Sequence, residues 1–194
     1  MKSAFNILSQ KILHNGFFKL HEVTFKHKKH DGTWSKPIKR EIFGGAQVAS
    51  ILPYDPVTKK IILIDQFRPG ILKDNHNPVI KEIVAGIIDK GESPEEAAKR
   101  ECKEEIGCDI HRLTKIFSYY PAPGSSESYY HLFLGEVSSF EGNKITGQKN
   151  ENEDILARCY SLDEVKKLLI NNTIISGSTL IALQWFFVNY NSID

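Results

Sequence analysis

Residues Gly86–Cys108 read GIIDKGESPEEAAKRECKEEIGC, and the rest of the chain is placed around this stretch. Ser93 is an N-cap residue type, Pro94 suits the first helical position, and Glu96 completes a capping box three residues after the serine. Gly107 is a natural C-terminal stop. At about 100° per residue, Glu101, Glu104 and Glu105 fall in one sector of this helix. Ala98, Cys102 and Ile106 fall in the neighbouring sector, suited to a core, and Lys99 and Lys103 lie away from both. Three carboxylates spaced i, i+3 and i+4 repel one another. Taken alone, such a patch also fits a solvated acidic face with Lys partners. Hard divalent cations offer the other way to offset the repulsion, because Mg²⁺ takes a few carboxylate oxygens together with substrate phosphates.

Working outward, the chain reads as strands, a helix, strands, then helices. Strands are expected at Phe17–His27, Trp34–Phe43, Val48–Pro53, Lys60–Phe67 and Val79–Ala85 before the helix, and around Asp109–Tyr119 and Tyr129–Val137 after it. The basic cluster at 26–30 leads into Asp31-Gly32, a hairpin signal, and reads as a solvated hairpin end. Ile61–Ile64 is a continuous apolar run, as in a strand buried on both faces. Pro69–Pro78 and Asn143–Asp154 read as polar loops. Ser161 and Glu164 form a second capping box, and a last helix is expected over Ser178–Tyr190. This order predicts an α+β (mixed α/β) domain rather than regular βαβ repeats.

Of the 194 residues, 41% are hydrophobic and 25% charged, with a net charge of +1. That balance argues against a nucleic-acid-binding surface spread over the molecule. The three cysteines, Cys102, Cys108 and Cys159, form no C-x-x-C pair, which points to a reducing, cytoplasmic setting without disulfides. Neither the opening residues nor the longest apolar runs, Ile61–Ile64 and Trp185–Val188, suggest a leader or a membrane span.

Gly86, Glu92, Arg100, Glu101, Glu104, Glu105 and Gly107 stand at the spacing G-x5-E-x7-R-E-U-x-E-E-x-G-U, with U a bulky apolar residue. This pattern resembles the Nudix box at every fixed position. Cys102 and Cys108 occupy the U positions as small hydrophobes, a departure that touches packing rather than chemistry. The resemblance implies a Nudix fold, with a mixed sheet sandwiched between helices in residues 46–194 and an antiparallel strand extension in residues 1–45. It also implies Glu101 and Glu105 as metal ligands and Glu104 as a further ligand or water-mediated contact. The Ala85 carbonyl would face a metal, and Arg100 and Glu92 would pair to brace the loop. The cofactor implied is Mg²⁺, or Mn²⁺ in its place.

Other segments are similar to the bacterial ADP-ribose pyrophosphatase branch of that family. Tyr120-Pro121-Ala122-Pro123-Gly124 carries Pro123 about fifteen residues beyond the box, where that branch has a proline. In the loop 147–155, Glu151 would be the general base and Glu153 a metal ligand, by the same resemblance. Gly16-Phe17-Phe18, Lys39–Phe43 and Asp65-Gln66-Phe67-Arg68 match the front half. There the resemblance implies that Phe17 stacks on adenine, with a plain core residue as the competing reading, and that Arg40 and Arg68 meet substrate polar groups. A homodimer with exchanged N-terminal strands is implied as well. One departure concerns substrate: the glutamate that the branch places five residues after the proline is Ser128 here, with Glu127 one position earlier. On a strand that shift would turn the side chain to the other face.

The activity implied is hydrolysis of ADP-ribose to AMP and ribose 5-phosphate. Another nucleotide sugar such as GDP-mannose is the second reading, and a non-catalytic nucleotide sensor, which would be expected to lose box carboxylates, is the third. The implied ligand is a small nucleotide sugar, with no nucleic acid and no membrane.

Overall fold

The computed structural model describes residues 4–73, 77–138, 140, 142–148 and 152–189. The chain divides into two compact units, one of residues 1–47 with 120–129, the other of residues 48–119 with 130–194.

The first unit holds an antiparallel sheet in the order β1 (Phe5–Asn15), β2 (Lys19–His27), β3 (Ile38–Gly44). β1 was not foreseen: every residue in it is exposed, so its sequence has no buried face to impose alternation. The β2–β3 connection turns at Gly32, in the left-handed region at φ 80°. Asp31 accepts hydrogen bonds there from the Thr33 N–H (2.8 Å) and hydroxyl (2.6 Å). Segment 120–129 docks on the end of β3 by main-chain bonds, Phe43 N–H to Ser125 (2.8 Å) and Glu127 N–H to Phe43 (2.9 Å). Gly45 allows this approach, because a Cβ there would sit 2.0 Å from the Ser128 nitrogen.

The second unit is a mixed α+β layer structure. Its sheet runs β10 (Asn143–Thr146), β11 (Ile155–Ser161), β5 (Lys60–Phe67), β4 (Gln47–Asp55), β9 (Tyr129–Val137), β8 (Ile110–Tyr119), with β6 (Val79–Glu82) on β5 and β7 (Val84–Ile87) on β4. Side chains alternate between two cores. Ala49, Ile51, Ile62, Ile64 and Phe133 pack with Ala97, Ala98, Cys102 and Ile106 of α1 (Pro94–Ile106). Leu52, Tyr54, Ile61, Leu63, Leu132 and Leu134 face Val165 of α2 (Leu162–Ile170) and Ala182, Leu183 and Phe186 of α3 (Gly177–Asn189). Ile61–Ile64 is thus buried on both faces, as expected, and the helices sandwich the sheet. Among the described residues no helix is long and apolar enough to cross a membrane.

Two readings need correction. Val79–Ala85 is not one strand: β6 pairs with β5 and β7 with β4, and the chain changes partner at Ile83. The Ile83 N–H donates to the buried Thr179 hydroxyl of α3 (3.0 Å). Asn143–Asp154 is not wholly loop either: β10 pairs residue for residue with β11, itself unforeseen. Ile145 at 80% exposed shows why, since β10 has no apolar face to reveal it.

Both capping boxes form, at Ser93–Glu96 and Ser161–Glu164, and Gly107 closes α1 at φ 72°. The sandwich makes a stability prediction. Ile62→Ala should cost about 2–5 kcal/mol by deleting buried methyl groups from a packed core. Ile145→Ala should stay within about 0.5 kcal/mol. Urea unfolding of the two variants checks this, and equal losses would contradict the layer assignment.

Candidate active site

β7 feeds through the 88–93 loop into α1, so the strand end and the acidic face of the helix lie side by side. At Gly86 a Cβ would fall 1.9 Å from Glu101 Oε1; only glycine leaves room for that carboxylate. The Ala85 N–H donates to Glu105 Oε2 (3.3 Å). Glu105 is 3% exposed, and among the described residues it forms no ion pair. Its acid group lies well above the ordinary carboxylate value, first through burial, then through the nearby charges of Glu101 and Glu153. Glu101 is also raised, burial again leading, although Arg100 pulls the other way.

Arg100 organises the remaining carboxylates. Its Nε and Nη2 meet the two oxygens of Glu92, each at 2.9 Å, so the expected pair is present as a bidentate fork. Nη2 also donates to the Ile87 carbonyl (3.1 Å), which ties the 88–93 loop to the helix. Nη1 reaches Glu101 (2.6 Å) and Glu104 (3.0 Å). The guanidinium holds Glu92 below the ordinary carboxylate value. Lys partners do not neutralise the patch: Lys99 and Lys103 are exposed, and Lys103 pairs with Asp109 (2.8 Å).

Glu153 reaches this site from the loop before β11. Its N–H donates to the Gln148 carbonyl (3.2 Å), and the Gln148 N–H donates to Glu153 Oε2 (3.2 Å). Gly147, at φ 101°, lies against it. The charge of Glu153 is felt by both Glu101 and Glu105. Glu151 lies outside the described residues. Thr146, which sequence reasoning missed, ties this loop to the helix by donating its hydroxyl to the Glu105 carbonyl. Among the described residues no three Asp, Glu, His or Cys groups form a ready-made metal cage. The donor set is nonetheless all oxygen, two of its carboxylates are desolvated, and among the described residues Glu105 has no ion-pair partner.

A family model for the NUDIX domain matches residues 46–178. The chain belongs to the NUDIX domain family. It is 35% identical to the ADP-ribose pyrophosphatase of Haemophilus influenzae over 95% of this chain and 86% of that protein. Identity to the ADP-ribose pyrophosphatase of Escherichia coli strain K12 is 32%, over 99% of this chain and 92% of the relative. A GDP-mannose pyrophosphatase of Escherichia coli O1:K1 is 28% identical over 98% of both chains. A crystal structure of an ADP compounds hydrolase shares the fold, with a TM-score of 0.74 and 20% identity, covering 98% of this chain and 96% of that one.

In this Nudix protein the other expected residues are placed as follows. Arg68, on the second unit, gives its Nε to Glu82 and acts electrostatically on Glu105. The Glu82 partner was not readable from sequence, since it depends on β5–β6 pairing. Phe17, on the first unit, is 88% exposed, which overturns its reading as a core residue; it meets Phe18 edge-on at 4.8 Å between ring centres. Arg40 is exposed on β3 and donates to the Lys39 carbonyl (2.8 Å). Pro123 and Glu127 line a cavity of about 340 Å³ with Ile42, Tyr120 and Ser126. Because Glu127 lies in a loop rather than on a strand, the face-switching expectation does not apply to it. Ser128 instead accepts a hydroxyl bond from Ser126 (3.0 Å). All three cysteines are free thiols.

The raised Glu105 acid predicts a pH dependence. Folded Glu105 binds its proton more tightly than the unfolded chain does. Its contribution to stability is therefore complete below the ordinary value of 4.5 and is lost as pH rises through the folded value. In chelator, wild type should lose stability relative to Glu105→Gln as pH rises from the ordinary carboxylate value of 4.5 through the raised folded value. Urea unfolding at a series of pH values measures the difference, and parallel profiles would contradict the desolvated carboxylate.

Proposed function

We propose that this Nudix enzyme hydrolyses the pyrophosphate bond of ADP-ribose, giving AMP and ribose 5-phosphate, with Mg²⁺ as cofactor and Mn²⁺ able to replace it. The observation that carries the reading is the pair of desolvated carboxylates, Glu101 and Glu105, set against the glycine strand end. Relatives bearing the ADP-ribose pyrophosphatase name, over nearly the full chain, support the substrate choice.

Glu101, Glu105 and Glu153 would hold the cations, with the Ala85 carbonyl as a main-chain ligand and Glu104 as a further or water-mediated contact. The bound ions would neutralise phosphate charge and lower the pKa of a bound water. Two carboxylates per ion suffice where phosphate oxygens and water fill the other positions, as Mg²⁺ prefers. Arg100 keeps Glu101 and Glu104 near the helix surface until then, and Glu92 keeps Arg100 in place. Glu151 would take the proton of the attacking water, and Arg68 would meet the diphosphate or ribose through its planar fork. Phe17, Arg40, Pro123 and Glu127 would bind the nucleotide and sugar ends, Phe17 by stacking on adenine.

A homodimer fits the first unit. β1 exposes Phe5, Ile7, Leu8, Ile12 and Leu13, an apolar set that a second copy would cover. Sedimentation should find a dimer, and a monomer at working concentrations would contradict this. A cytoplasmic location suits the three free thiols.

GDP-mannose is the second substrate reading, favoured by the 28% identical relative and by Ser128 in place of a glutamate. Turnover on both compounds separates them: ADP-ribose should be cut faster, and a preference for GDP-mannose would overturn the choice. Glu105→Gln should lower turnover by orders of magnitude with the fold intact. Glu151→Gln should lower it by about 10²–10⁴-fold if that carboxylate is the base. A mild effect at position 151 would shift the role to Glu153.

A further inference from the structure

The second unit holds a cavity on the side of its sheet away from α1. Asp65 shares the face of β5 with Leu63, which packs against α2 and α3, whereas Ile62 and Ile64 face α1. Asp65 receives two cations, Lys81 Nζ from β6 at 2.6 Å and Arg158 Nε from β11 at 3.1 Å. The Arg158 contact is an ion pair without hydrogen-bond alignment, and its buried Nε–H has no hydrogen-bond partner. These three side chains line a cavity of about 550 Å³ together with Asn77, Asn172 and Thr173. Asn77 spends its side-chain oxygen on the Val79 N–H (3.0 Å), which leaves its NH₂ as a donor. Asn172 stands in the left-handed region at φ 53°, in the turn that follows α2.

We propose that this cavity binds a phosphate monoester of a small sugar or nucleoside. One carboxylate between two cations leaves the described lining residues with a surplus positive charge. Asn77, Asn172 and Thr173 bring amide and hydroxyl groups to a lining that Val79, Ile80 and Ile175 complete, and the volume lies in the range of small-molecule sites. An ion triad serving only to clamp β5, β6 and β11 would not need the open volume. The site is separate from the α1 carboxylates and does not depend on which nucleotide sugar they act upon.

The test uses the full chain in chelator, so that cation-dependent binding at the α1 face is absent. Ribose 5-phosphate, inorganic phosphate and ribose are titrated while the backbone amides of Asn77, Asn172 and Thr173 are followed by ¹⁵N-resolved NMR. Both phosphate compounds should shift these amides, ribose 5-phosphate at the lower concentration, and ribose should not. Arg158→Gln should weaken ribose 5-phosphate about tenfold or more by removing a charged donor. Asp65→Asn should tighten it by freeing both cations. The proposal is overturned by silent amides, by wild-type affinity in Arg158→Gln, or by an Asp65→Asn variant that fails to bind more tightly. Equal affinity for inorganic phosphate would overturn the assignment to an ester.

Discussion

Glu105 sits almost wholly out of water with, among the described residues, one main-chain N–H bonded to its carboxylate and two further carboxylates within electrostatic reach. Burying a carboxylate is costly unless it is paired or kept protonated. The local structure follows from tolerating that arrangement. Ala98, Cys102 and Ile106 anchor α1 on the sheet, the i+3 and i+4 spacing then turns the glutamates toward β7, and Gly86 clears the space for Glu101. Arg100 offsets part of the repulsion while its fork on Glu92 fixes the incoming loop. An arrangement unfavourable as a resting surface becomes favourable once a divalent cation joins it, which is the physical content of the functional proposal.

The candidate residues fall in both units. The acidic face, Glu153 and Arg68 belong to the second unit, built on a sheet buried on both sides and therefore suited to holding charges in fixed positions. Phe17, Arg40, Pro123 and Glu127 belong to the first, whose strands leave aromatic and aliphatic side chains in water.

The α1 segment was legible in the sequence because everything that defines it is local: a capping box, a left-handed glycine stop, and carboxylates at helical spacing. Ile61–Ile64 was legible because burial on both faces leaves a continuous apolar run. β1 and β10 were not, since strands exposed on both faces carry no alternation to detect. The change of partner at Ile83 was hidden for another reason: its cause, the Thr179 hydroxyl, lies 96 residues away in sequence. Arg68–Glu82 and Lys81–Asp65–Arg158 likewise exist only through strand register. At the site, box residues could be placed from spacing, whereas Thr146, which pins the Glu153 loop to α1, offered no motif.

The most direct measurement is a titration of Mn²⁺ into the substrate-free protein, with bound ion read by electron paramagnetic resonance, for wild type and for Glu101→Gln and Glu105→Gln. Wild type should capture the ion and each variant should weaken its capture strongly. Equal binding by all three proteins would show that the cation does not sit on these carboxylates.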